Sequence, residues 1–232
     1  MPQQTYGHIW QESDIVRGYL NETRAAIPCA SEQIDVMLRL LATTPHGVRS
    51  FIDLGCGDGI LGAAILAAYP QAKGIFIDFS KDMLDAARQK LGSNDRLTFI
   101  SKDYGDLNWV DLVQNEGPFD AIVSGFSIHH QPDDRKHQIY EEIFRLLAKG
   151  GFFINVEHVS PSSDIGARIF GERFVDSLYA LEREQGGGRS RDQIAHEFQT
   201  REDQDANILA PVEVQCDWLR HIGYADVDCH LK

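Results

Sequence analysis

The stretch FIDLGCGDGILG, residues 51–62, decides the fold. Four glycines (Gly55, Gly57, Gly59 and Gly62) fall within eight residues, directly after an apolar run. From Gly57 the spacing reads G-x-G-x-x-G, the pattern of a turn that joins a strand to a helix and brings backbone close to a nucleotide. Yet Asp53 and Asp58 lie inside the same turn. A pyrophosphate about 4 Å from such a carboxylate meets a repulsion of roughly 4 kcal/mol at an effective dielectric near 20. A cationic ligand turns the same carboxylates into attractions.

Outward from this turn the chain alternates between two periods. Residues 48–54, 73–79, 97–103, 119–127 and 152–159 are short apolar runs that predict strands. Residues 60–69, 80–91 and 133–151 carry helical patterning, with Ser80 as the N-cap of the second. Strands alternating with helices predict an α/β three-layer sandwich with a mainly parallel, Rossmann-like sheet. Ligands of such sheets bind beyond the C-terminal strand ends. That rule singles out Asp53 to Gly59, Asp78 and Phe79, Asp103 and Tyr104, Ser124 to His130, and Glu157 and His158.

The flanks differ. Residues 1–45 predict an N-terminal helical cap broken at Pro28, with Ile34, Met37, Leu38 and Leu41 on one face. Residues 160–207 interrupt the alternation with two helical stretches parted by Gly186–Gly188. They read as an inserted lid over the strand ends or as a plain core helix pair. Residues 212–223 then predict a helix and 224–231 a strand. All 232 residues are read as one domain.

Composition narrows the partners. The net charge is −13, which repels phosphate backbones and disfavours nucleic acid and membrane surfaces. The four cysteines form no C-x-x-C pair, so neither a zinc site nor a disulfide framework is expected. No run is apolar enough for a membrane span or a leader. A cytoplasmic protein is the expectation.

S-adenosylmethionine (SAM) carries a sulfonium and an ammonium and no phosphate, so it suits an acidic glycine turn better than NAD. DLGCGDG resembles the first motif of the class I SAM-dependent methyltransferases. GPFDAIVSGFSIHH resembles their fourth motif, and LLAKGGFFINVEHV their entry into strand five, with Ala148-Lys149 where proline is usual. The resemblance covers roughly residues 48–160. It implies that Asp53, Gly55 and Gly57 hold the methionine part of SAM and that Asp78 takes the ribose. Phe79 and Met83 then lie near the adenine, Asp103 and Tyr104 frame it, and Ser124 and Phe126 floor the methyl site. Asp78 does not discriminate between SAM and NAD, since both present ribose hydroxyls.

The histidines of SIHHQPDDRKH raise the question of metal. In an extended segment neighbouring side chains point apart, so His129 and His130 would not share one ion, and no metal is expected. His130 is instead the first candidate for a general base, with His129 and Glu157 beside it. Each of the three also reads as a purely structural group. Methyl transfer from a sulfonium needs alignment and exclusion of water, and a base only where the nucleophile is protonated.

The expected activity is methylation of an O or N nucleophile of a small molecule. Two alternatives stay open. The helical flanks and VEVQCDWLRHIGYADVDC are similar to the tRNA wobble-uridine carboxymethyltransferases, which use carboxy-SAM, and that resemblance implies a basic residue, here Arg201 or Arg168, to meet the extra carboxylate. The other is a SAM-binding protein without turnover. The segment with Tyr6, Trp10 and Tyr19 is expected to close over SAM. Folds of this kind finish with an antiparallel strand. The residues after 231 supply none, so the sheet ends short or the chain lacks roughly ten residues. An open edge of that sort favours a homodimer.

Overall fold

The computed structural model describes residues 8–18, 26–92 and 94–232. Tyr6 and Tyr19 lie outside the described residues. Strands β1 (Ser50–Leu54), β2 (Lys73–Asp78), β3 (Leu97–Ser101), β4 (Phe119–Gly125) and β5 (Leu147–Val156) form one sheet in the order β3-β2-β1-β4-β5. Every pairing is parallel: Ile52 sits beside Ile75 on one side and Ile122 on the other. The order reverses between β1 and β4, which makes the ends of those two strands the switch point where ligands of such sheets bind.

Strand alternation decides which helices cover which face. Ile52, Leu54, Ile75, Ile77 and Ile122 point to one side and pack with α5 (Asp133–Leu146) and α8 (Val212–Ile222). Phe51, Phe76, Ala121 and Val123 point to the other. There they meet α2 (Ala30–Leu41), α3 (Ile60–Ala68) and α4 (Lys81–Leu91). Phe51 and Phe76 are fully buried and cross edge to face at 5.7 Å. Each such side chain contributes about 1.5–3 kcal/mol. The fold is therefore the α/β three-layer sandwich expected, with α1 (Ser13–Gly18) and α2 ahead of it.

Three local expectations are corrected. Helix α5 stops at Leu146, and Leu147–Gly151 begin β5. A register shift between Phe119 and Ala121 absorbs the extra residues as a bulge. Residues 224–231 form no strand. Asp226 turns left-handed (φ 54), Arg220 Nη2 takes the Val227 carbonyl at 3.0 Å, and the Asp228 side chain takes the Cys229 amide at 2.7 Å. Ser80 occupies the N-cap position of α4 but its hydroxyl makes no cap bond.

Residues 160–207 form α6 (Asp164–Glu184) and α7 (Arg191–Thr200), followed by a short 3-10 turn at Glu202–Ala206. Ser163 and Ser190 cap the two helices, the second with a full capping box to Gln193. Phe174 and Phe198 stack between them at 4.9 Å. Val175 and Glu182 are the buried residues of α6, and Phe170 is 45% exposed, so the pair is not a core layer.

Candidate functional site

The site starts at the turn after β1. Gly55 has φ 64, and a Cβ there would meet Ser127 Oγ at 1.9 Å. Gly62 lies at the first turn of α3, where a Cβ would meet the Phe76 ring at 2.2 Å. The first glycine lets two loops touch, and the last lets α3 pack onto β2. The buried Asp53 carboxylate accepts the Gly62 amide at 2.8 Å, so it sits at the positive N-terminal end of α3. Cys56 continues the ladder, its amide on the Ile77 carbonyl at 2.9 Å. Burial pushes its thiol well up, which leaves it unreactive.

Asp78 ends β2 and braces the same turn. It accepts the Gly57 amide at 2.8 Å and the Ser80 amide at 2.8 Å. Burial pushes its carboxyl up to about 6, against the pull of those two amides. Asp53, Gly55, Gly57, Asp78, Phe79, Met83 and Phe126 all line one cavity of about 1550 Å³.

Asp103, Tyr104 and Ser124 do not line it. Ser124 is fully buried and donates its hydroxyl to the Leu54 carbonyl at 2.7 Å, which ties β4 to the end of β1 and turns it away from a methyl site. Tyr104 is buried, its hydroxyl 2.6 Å from Ser127 Oγ, directly behind Gly55. Asp103 accepts the Gly105 amide at 2.7 Å, and burial raises its carboxyl. Sequence reading missed what holds this loop. Arg135, on α5, donates to the carbonyls of Tyr104 and Gly105 at 2.7 and 2.9 Å and pairs with Glu142 at 2.7 Å. No local pattern could reveal contacts some thirty residues apart. Arg135→Ala is expected to lower stability by about 3 kcal/mol in a denaturant melt, because it removes the cation from a largely buried Glu142, which keeps the Trp109 indole N–H as a donor.

The cavity continues to the histidines. Ile128–His130 is a 3-10 turn, not an extended segment, and the rings of His129 and His130 come to 4.0 Å between centroids. The expectation that they point apart is corrected. Even so, the described residues hold no group of three or more His, Cys, Asp or Glu suited to a metal ion. His129 Nδ1 lies 2.5 Å from Glu157 Oε1, and the His129 amide donates to Glu157 Oε2 at 3.0 Å. Glu157 also takes the His158 amide at 2.9 Å. Burial works to raise the Glu157 carboxyl, but the His129 ring and these donors outweigh it and hold it below the usual range. His130 is occupied differently. Its Nδ1 is 2.9 Å from the Ala206 carbonyl and its ring lies 5.6 Å from Trp10. Burial and the neighbouring His129 push it down to about 4, so it is neutral near pH 7.

Known proteins resemble this chain in sequence and fold. A methyltransferase-domain family model matches residues 51–151. A demethylmenaquinone methyltransferase of Clavibacter sepedonicus is 25% identical over 225 residues, which is 96% of this chain and 84% of that enzyme. A ribosomal RNA large subunit methyltransferase G of Shewanella sediminis is 32% identical over 142 residues, 57% of this chain but 34% of that enzyme. The crystal structure of the plantazolicin methyltransferase BpumL, in complex with a triazolic desmethylPZN analog and SAH, superposes with a TM-score of 0.63. It is 15% identical and covers 93% of this chain and 72% of its own.

Residues 51–151 therefore match a methyltransferase-domain family, and the chain has the Rossmann-like fold of solved methyltransferases. Members of this family use SAM. Among the described residues, no helix is long and apolar enough to cross a membrane.

Proposed function

We propose that the protein transfers a methyl group from SAM to an O or N nucleophile of a small molecule. The observation that carries this reading is a single cavity that runs from the acidic glycine turn to the His129–Glu157 pair. Donor and base would thus share one space. The charge of −13 favours a small acceptor over RNA, although one relative acts by its name on ribosomal RNA. The name of the demethylmenaquinone relative supports a small molecule.

The residues present suit SAM. Asp53 and Asp78 offer negative charge without a counterbalancing phosphate site, Gly55 and Gly57 keep the turn free of side chains, and Phe79 and Met83 supply apolar contact. Asp53, Gly55 and Gly57 would hold the methionine part and Asp78 the ribose. When bound, SAM supplies an electrophilic methyl on a positive sulfur. The chain's own part is to align an acceptor, to exclude water under α6 and α7 acting as a lid, and to take a proton. Glu157 holds the Nδ1 proton of His129, which leaves Nε2 as the basic nitrogen. His129 is therefore the better base of the two histidines. His130, tied to Ala206, would fasten the lid.

The reading is tested by incubating the protein with SAM and a panel of small phenols, amines and acids, with mass spectrometry for a 14-dalton gain, about one CH₂. Absence of SAM binding would sink it. A pH effect should also appear. An acid whose pKa in the folded chain is raised to about 6 is costly to ionise there: stability from Asp78 is present at low pH and lost as pH rises through that value, by roughly 3 kcal/mol. Ribose hydroxyls donating to the ionised carboxylate would offset this. Binding below pH 6 must then release a proton, and affinity for S-adenosylhomocysteine (SAH) should fall about fivefold from pH 6 to pH 5. Calorimetric titration at both values checks it, and a flat profile would remove Asp78 from the ribose site.

A further inference from the structure

The cavity that holds the acidic turn is also lined by two arginines, in a chain whose net charge is −13. Arg173, from α6, lines the cavity and has no ion-pair or hydrogen-bond partner among the described residues. Arg201 follows α7 and lines the same cavity. It uses Nη1 on the Phe198 carbonyl at 2.6 Å, and its Nε faces Asp203 at 3.1 Å. Its Nη2 donates to no acceptor among the described residues. The guanidinium lies 4.2 Å over the Phe198 ring, which orients its plane, and Phe198 in turn stacks on Phe174, the neighbour of Arg173. The two arginines are thus attached to the two halves of one stacked pair.

Their position relative to the chemistry is also set. Arg201 lines the same cavity as His129 and His158, and its charge helps to lower the His158 pKa after burial and His129. The His158 ring is 5.8 Å from the His129 ring. The carboxylates of Asp53 and Asp78, in contrast, lie at the glycine turn.

We infer that the acceptor carries an anionic group of the carboxylate class, held by Arg173 and Arg201 while its nucleophile faces His129. This rests on the methyltransferase reading above. The physical reason is that a guanidinium with unused donors, here the half-buried Arg201 with the exposed Arg173 beside the cavity, binds a carboxylate through directional, charge-assisted hydrogen bonds, which a neutral amide of the same shape cannot match. The apolar residues around it, Phe126, Phe170 and Phe174, suit a ring or chain as the body of that acceptor. The same chemistry would also fit a carboxylate on the methyl donor. The arginines come from α6 and from the residue that follows α7, not from the glycine turn, which favours the acceptor.

The test uses the full chain, with and without saturating SAH. Binding is measured for 2-naphthoate against 2-naphthamide and for benzoate against benzamide, in the parent and in the double variant Arg173→Gln/Arg201→Gln. At least a tenfold preference for the acid is expected in one pair. The double variant should lose that preference and keep SAH affinity within about twofold, which also shows that it folds. Equal binding of acid and amide in both pairs overturns the inference, as does a preference that survives in the double variant. SAM and carboxy-SAM are compared in the same two proteins. If only the carboxylated donor gains affinity through the arginines, the anionic group belongs to the donor and the acceptor assignment falls. If SAH does not bind at all, the methyltransferase reading fails, and the acid-over-amide preference measured without SAH still decides the role of the arginines.

Discussion

Gly55→Ala should abolish SAH binding, with an affinity loss of at least a hundredfold, or about 2.8 kcal/mol. Two independent costs add at this position. The residue holds φ 64, where a side chain costs about 1–2 kcal/mol. The new Cβ would also fall 1.9 Å from Ser127 Oγ and 2.5 Å from Ser127 Cβ, inside any allowed contact. Ser127 cannot simply swing away, because its hydroxyl is engaged by the buried Tyr104 at 2.6 Å. The loop after β1 or the loop after β4 must therefore move, and both line the cavity. The double variant Gly55→Ala/Ser127→Gly removes the clash but not the backbone strain, so it should recover part of the affinity. An alanine variant that binds SAH within threefold of the parent would show that this turn does not hold the donor.

Glu157→Gln should lower kcat by about 10²–10⁴ while leaving SAH affinity nearly unchanged. The carboxylate takes three donors: the His129 ring, the His129 amide and the His158 amide. A glutamine has one acceptor oxygen and one NH₂. With its oxygen on the backbone amides, the NH₂ meets His129 Nδ1 and forces the proton onto Nε2, the nitrogen that has to accept. The pH–rate profile separates this from a structural defect: loss of the base should change the shape of the profile on its acid side, whereas partial unfolding would scale the whole profile. Full activity in Glu157→Gln would reduce the pair to a brace of the sheet rim. The effect is expected with acceptors whose nucleophile is protonated and should be small with one already deprotonated.

Much of the architecture was readable in advance because it rests on local chemistry. Strand runs such as residues 73–79 and 119–127 are almost wholly apolar, as strands covered on both faces must be. The glycine turn announced itself through spacing, and its two acids through charge. What failed was local structure settled by distant contacts. Residues 224–231 alternate like a strand, but Arg220 and the Asp228 side chain take the backbone groups that a neighbouring strand would need. Leu147–Gly151 looked like the end of a helix until a bulge in the β4–β5 pairing placed them in the sheet.

The site was legible in the same uneven way. Positions after strand ends could be named from the order of elements, and seven of the ten proposed donor-site residues line the cavity. Ser124, Asp103 and Tyr104 do not, because side-chain direction at a strand end depends on the neighbouring strands. The choice between His129 and His130 could not be made from adjacency alone. It turns on Glu157, twenty-eight residues on, and on Ala206, seventy-six residues on. Of the arginines, Arg201 was named from the sequence together with Arg168, whereas Arg173, which lines the cavity where Arg168 does not, was hidden, since nothing in its local sequence says that it faces that cavity.

The most direct measurement is a calorimetric titration of the full chain with SAH and, separately, with NADH at pH 7.5, above the Asp78 value of about 6. The acidic turn predicts saturable binding of SAH at one site and no binding of NADH. Binding of NADH without SAH would mean that Asp53 and Asp78 face away from the ligand's charge, and the methyltransferase reading would fall with them.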